Sequence, residues 1–107
     1  MKPQALGAFL ALGALLHVET AAAQYVPPNG FVPNAETAVA VARAVLIPIY
    51  GANSLRKEEP FIAEERADRW IVRGTLNCEG GLTCVGGTAV VEIAKNDGRI
   101  LRLIHSK

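Results

Sequence analysis

The sequence predicts an α+β domain: one N-terminal helix packed on a four-stranded antiparallel meander sheet, preceded by a signal peptide that is removed. Three observations carry this expectation. An apolar run is concentrated in the first 23 residues, a helical apolar period opens after Asn34, and the period switches to alternation after Pro60. Short polar turns separate the alternating segments, which favours hairpin connections and an antiparallel sheet with the helix over one face.

The chain has 107 residues, with eleven Lys or Arg against ten Asp or Glu, a formal charge of +1. That length fits one small domain. The balanced charge argues against nucleic-acid binding, which needs a basic surplus or stripe, and against an acidic disordered tail. Fifteen apolar residues fall in positions 1–23. Lys2 supplies a positive start, Ala5 to Leu16 is apolar or Gly throughout, His17 to Thr20 is more polar, and Ala21-Ala22-Ala23 are small. This order is that of a secretory signal, with cleavage expected between Ala23 and Gln24. A twelve-residue apolar run is short of the about 20 residues that span a bilayer. No cysteine stands near the cleavage point to carry a lipid. The expected organisation is a signal peptide over 1–23, an extended Pro-rich arm over 24–33 and a domain over 34–107. The processed protein is expected to be periplasmic or secreted, with no stable membrane anchor.

The 84 residues from Gln24 onward hold 39 apolar ones, an ordinary globular content. So short a domain buries a modest share of its surface and is marginal without help. Cys78 and Cys84 offer that help. Exported cysteines in even number usually pair, and closing this loop is worth about 2 kcal/mol in chain-entropy terms. Zinc wants four ligands, whereas this part of the chain has two cysteines and one histidine, His105. The Cys-x-x-Cys spacing of a redox pair is absent. A structural disulfide is expected, with no metal and no cofactor.

The elements follow in order. Prolines 27, 28 and 33 mark the arm. Asn34 is placed to cap a helix from Ala35 to about Ile47, with Glu36 in its first turn. Ala38, Val41, Ala42, Val45 and Ile49 form its apolar stripe; Pro48 should kink or end it, and Gly51 is a natural stop. Strands are expected at Phe61–Glu65, Trp70–Leu76, Thr88–Ala94 and Arg99–His105. In the second, Trp70, Val72 and Leu76 oppose Ile71, Arg73 and Thr75, and Gly74 signals a bulge or a close backbone approach. In the third, Ala89, Val91 and Ile93 alternate with Thr88, Val90 and Glu92. Asn96-Asp97-Gly98 is a hairpin turn.

The chemistry is mostly an absence. A nucleophilic triad would need Ser54 or Ser106 beside His105, with Asp68 or Asp97 as orienter. Ser106 and His105 are adjacent on a strand and point to opposite faces. The pairs Glu58-Glu59 and Glu64-Glu65 diverge for the same reason. The glycines at 80, 81, 86 and 87 lack the Gly-Lys-Ser context of a phosphate loop. No enzyme is expected.

A set of ordered segments carries a resemblance. Gly30-Phe31-Val32-Pro33, Ile47-Pro48-Ile49-Tyr50-Gly51, Pro60-Phe61, Trp70-Ile71-Val72-Arg73-Gly74-Thr75-Leu76, Gly86-Gly87-Thr88-Ala89, Asp97-Gly98 and His105-Ser106-Lys107 follow one another. Together they resemble the immunity proteins of nuclear-transport-factor-2-like fold in bacterial polymorphic toxin systems, over about Gly30 to Lys107. The resemblance implies a reduced form of that cone-shaped fold, and binding and neutralisation of a cognate protein toxin without catalysis. It transfers no site residues position by position.

With the export signal, the expectation is an inhibitor guarding the envelope against a cell-wall- or membrane-active effector. Such binders use a few buried anchors. The disulfide-closed loop from Glu79 to Val85, carrying Leu82, is the expected contact element, and Arg73, Glu58 and Glu59 are candidates for charge complementarity. Tyr50, Phe61 and Trp70 are expected in the core. The competing reading is a small envelope enzyme or ligand-binding domain of the same fold, with His105 and either Arg73 or Glu92 lining a pocket between helix and sheet.

Overall fold

The computed structural model describes residues 22–78 and 86–106. Ala23 and Gln24 lie in exposed chain without regular structure. The segment 1–21 of the expected signal, and Glu79, Leu82 and Cys84 of the expected loop, lie outside the described residues.

Helix α1 (Ala35–Tyr50) begins where the sequence places it. The Asn34 Oδ1 accepts hydrogen bonds from the Thr37 backbone N–H and hydroxyl, both at 2.8 Å. Glu36 adds a negative charge to the first turn. The helix runs three residues past its expected end, through Pro48. Proline costs most in mid-helix; here it sits in the last turn, where the bond forgone is the one to the Ala44 carbonyl. Gly51, at φ 87°, closes the helix by donating to the Ile47 carbonyl at 2.8 Å.

The buried stripe is also rotated from the expected one. Ala38, Ala42 and Leu46 are fully buried, whereas Ile49 is 54% exposed. The two alanines let the helix approach the sheet closely, and the four-residue step then leads to Leu46 and Tyr50 instead of Ile49. A second, short helix α2 (Ala52–Arg56), absent from the expected elements, follows and is held by the buried Leu55.

The sheet is the expected meander, β1 (Ile62–Arg66), β2 (Arg69–Arg73), β3 (Ala89–Ala94) and β4 (Ile100–His105), antiparallel in that order. Its register aligns Ala63, Val72, Val91 and Leu103 across the four strands on the helix side. Trp70, Ala89 and Ile93 join Val72 and Val91 beneath α1, and Phe61 seals one end, so the space between α1 and sheet is filled by side chains. The opposite face carries Ile62, Arg73, Val90 and Ile104 in one cross-strand row and Glu64, Ile71, Glu92 and Arg102 in the next.

β2 stops at Arg73, three residues before its expected end. The Gly74 N–H still donates to the Ala89 carbonyl, at 3.0 Å, but the Thr75 N–H donates to the Glu58 carbonyl at 2.7 Å. The Asn77 amide donates to the carbonyls of Lys57 and Glu59 at 3.0 and 2.9 Å. The chain thus shifts its hydrogen bonds from the sheet to the α2–β1 connector, and Leu76 is left exposed.

The Pro-rich arm ends in contact with the domain. Phe31 and Val32 donate to the carbonyls of Asn96 and Lys95, both at 3.0 Å, which docks them on the β3–β4 turn. Val32 is buried, and its carbonyl accepts the Trp70 indole N–H at 2.9 Å.

Candidate functional site

Two surfaces stand out, one at the end of the helix–sheet layer and one on the open face of the sheet. The first is a cleft of about 320 Å³ lined by Ser54, Lys57 and Glu58 of the α2 region, Thr75, Leu76 and Asn77 after β2, and Gly87 and His105. Glu58 sits at its floor. One carboxylate oxygen accepts from the Ala89 N–H at 2.7 Å and the other lies 3.0 Å from His105 Nε2. His105 Nδ1 lies 3.0 Å from the Ser106 carbonyl, and its ring packs against Tyr50 with centroids 5.3 Å apart.

Both Glu58 oxygens are therefore engaged, and both imidazole nitrogens face oxygen acceptors. The pair ties the α2–β1 connector to β3 and to the end of β4. Such an arrangement serves as a brace; a general base needs an open lone pair aimed at substrate. The Ser106 hydroxyl bonds to the Thr88 backbone, at 3.2 Å to both its N–H and its carbonyl. The pairing expected for a pocket does not assemble. His105 stands opposite Ala89 on the helix side of the sheet, whereas Arg73 and Glu92 project from the other side. The partner His105 does find is 47 positions away, and nothing in the sequence links the two except Gly74, where the close approach is that of Glu58.

The remaining expected residues disperse. Glu59 forms an ion pair with Arg43 of α1, at the surface. Cys78 is exposed, and the pairing expected for it involves a residue outside those described. Arg73 lies on the open sheet face.

That face is a lattice of arginine–glutamate pairs. Glu64 accepts from Arg66 at 2.8 Å and from Arg73 at 3.0 Å. Glu92 accepts from Arg69 at 3.0 Å, with Arg102 at 3.5 Å. Hydrogen bonds from Arg66, then Arg73, hold the Glu64 carboxyl below the usual carboxylate range. The Arg69 guanidinium does the same to Asp68, and Asp68 and Glu92 together raise Arg69. Among the described residues, no cluster of three His, Cys, Asp or Glu side chains is placed to hold a metal ion, and no helix is long and apolar enough to cross a membrane.

Comparison with known proteins bears on this scaffold. Residues 37–107, from the first turn of α1 through β4, match the family described as NTF2 fold immunity protein. The chain is 34% identical over 79 residues to the uncharacterized protein YhhH of Escherichia coli (strain K12), a match covering 74% of this chain and 60% of that protein. It is 36% identical over 59 residues to the uncharacterized protein YbbC of the same organism, over 54% of this chain and 45% of that protein. It thus spans 60% or less of the length of these relatives. No solved structure matches the chain. With the helix-on-meander architecture present and the family match running over 37–107, the chain belongs to the NTF2-fold immunity proteins.

Proposed function

We propose that the protein is an exported immunity protein that binds and neutralises a cognate envelope-targeting bacterial toxin, without catalysing a reaction. The observation that carries this reading is the family match over residues 37–107. Export is supported by the Lys2, Ala5–Leu16 and Ala21-Ala22-Ala23 pattern of the first 23 residues. An immunity protein works where its toxin works, so an exported one guards the envelope, where peptidoglycan and membrane lipid are the targets. A Cys78–Cys84 disulfide in the oxidising compartment would hold the 79–85 loop, with Leu82 as an apolar anchor.

Co-expression tests this directly. A toxin is sent to the periplasm, and the chain is made with or without residues 1–23. Growth restored only by the exported form supports the reading; equal protection by the cytoplasmic form overturns its compartment, and protection by neither overturns neutralisation.

A second reading, a small-ligand site, rests on the cleft beside His105. Ser54→Trp, placed on α2 at the cleft wall, separates the two. Protection is retained if toxin binding is the function, and lost if a cleft ligand is required while the variant stays folded.

A further inference from the structure

Strand β4 is a bare edge. Among the described residues, β3 is the only element that packs against it, because α1 lies over β1, β2 and β3. The Ser106 N–H donates to the Thr88 carbonyl at 3.1 Å, whereas the Ala89 carbonyl, opposite His105, accepts from Gly74 at 3.0 Å. Alternation along the strand therefore turns the backbones of Arg102 and Ile104 toward β3 and those of Leu103 and His105 outward. Each outward residue offers one N–H and one C=O, and no described strand pairs with them.

The two edges of the sheet differ in how they are guarded. β1 follows Pro60, lies under α1 and carries Glu64, Glu65 and Arg66 among its five residues. Charges and a covering helix are devices that keep an edge from pairing with another chain. β4 has no proline, and its one permanent charge, Arg102, lies beside Glu92 at 3.5 Å. Ile100 and Ile104 are each 37% exposed on it. The register shift at Glu92 and Ile93 perturbs only the start of the strand and leaves Arg102 to His105 regular.

We infer that β4 pairs antiparallel with β4 of a second copy of this chain, about a two-fold axis at Ile104, joining the two sheets into one. In that register Leu103 and His105 of each copy exchange backbone hydrogen bonds with His105 and Leu103 of the other. Ile104 meets its own counterpart in a non-hydrogen-bonded pair, where facing side chains come closest. Arg102 falls opposite Ser106, so no like charges face each other. An axis at Arg102 would oppose two guanidiniums, and one at Leu103 would draw the irregular start of the strand into the ladder. A net charge of +1 leaves little repulsion between copies. The second copy is the favoured occupant because each group on this edge finds its complement in the same edge. Its Leu103 would also stand beside His105, at the rim of the cleft, so that two copies wall that site. Pairing through one strand lies at the small end of specific interfaces, so the dimer should dissociate on dilution.

Sedimentation equilibrium of the purified protein, expressed from the full-length sequence, tests this over a wide concentration range. The variants are Ile104→Lys and Ile104→Glu, which place like charges on the axis at a partly exposed position, with melting curves to show that both fold. Ile62→Lys, on the opposite edge of the sheet, is the control. The wild type and the control should rise from the mass of one copy to that of two as concentration increases. Each Ile104 variant alone should associate at least about tenfold more weakly. An equimolar mixture of the two should dimerise again, because lysine then faces glutamate. Hydrogen exchange at the Leu103 and His105 amides should slow as the wild type dimerises.

A single-copy mass for the wild type at every concentration overturns the pairing. Dimers that persist in a folded Ile104→Lys variant, or that fail in Ile62→Lys, place the contact elsewhere and overturn it too. So does a monomeric wild type that loses toxin protection on Ile104→Lys, which would give this edge to a strand of the toxin.

Discussion

A β-carbon built on Gly74 would stand 2.5 Å from Oε1 of Glu58 and 2.9 Å from its Cβ. Glycine at 74 is thus what lets the Glu58 carboxylate reach the Ala89 N–H and His105. Gly74→Ala should displace the carboxylate and leave the Ala89 amide short of its acceptor, at about 1–3 kcal/mol. Urea unfolding checks this, and a double-mutant cycle with Glu58→Ala gives it specificity. With the carboxylate already gone, the alanine at 74 should cost markedly less, whereas full additivity would mean the two residues are uncoupled.

Trp70 links the sheet to the segment before α1. Its indole N–H donates to the Val32 carbonyl, and Lys95 Nζ lies 5.6 Å from the ring centroid. Trp70→Phe removes the donor and strands a buried carbonyl, a loss of about 1–3 kcal/mol. In a domain of this size that corresponds to a melting point lower by roughly 4–8 °C per kcal/mol. The same change should speed limited proteolysis between Tyr25 and Phe31, because Val32 is the buried anchor of that stretch. Unchanged cleavage there would show that the backbone bonds of Phe31 and Val32 to the β3–β4 turn suffice.

Local signals were the readable part of this fold. Asn34 three residues before Thr37, Gly51 after the last apolar step and Asp97-Gly98 between alternating runs each act within a few residues, so spacing alone reveals them. The strand order followed from turn lengths. What stayed hidden depends on partners distant in sequence. Ile49 and Leu46 are equally apolar, and only the sheet's position decides which is buried. The end of β2 depends on Thr75 and Asn77 finding the carbonyls of residues 57–60. Glu58 meets His105 across 47 positions. Arg73 was legible as a candidate, but its ion pair with Glu64 appears only once β1 and β2 are in register.

The Asn34 cap offers the most local test. Its Oδ1 accepts two bonds from Thr37, satisfying one backbone donor of the first turn. Asn34→Ala should destabilise by about 1 kcal/mol, and Asn34→Asp should restore most of it, since aspartate caps equally well and adds a favourable charge at the helix N-terminus. Chemical denaturation of the three proteins checks the order; an alanine variant as stable as the wild type would mean that water replaces the cap.

Acid titration probes the arginine lattice. Arg66 and Arg73 hold the Glu64 carboxyl below its ordinary range in the folded protein. A depressed folded-state pKa means that protonation favours the unfolded chain, so this contribution is present above the ordinary carboxylate value and is lost as pH falls through the depressed one. Asp68 behaves alike through Arg69. Both groups are solvent-exposed, so the contribution is small and screened by salt. Carbon-13 titration of the side-chain carboxyls should place the Glu64 midpoint below that of an unpaired glutamate. Arg66→Gln should raise that midpoint more than Arg73→Gln, because the Arg66 hydrogen bond is the larger cause. At about 1 M salt, where the screening length falls to about 3 Å, the separation should shrink. A Glu64 midpoint indifferent to both substitutions would show that the two guanidiniums do not share the carboxylate in solution.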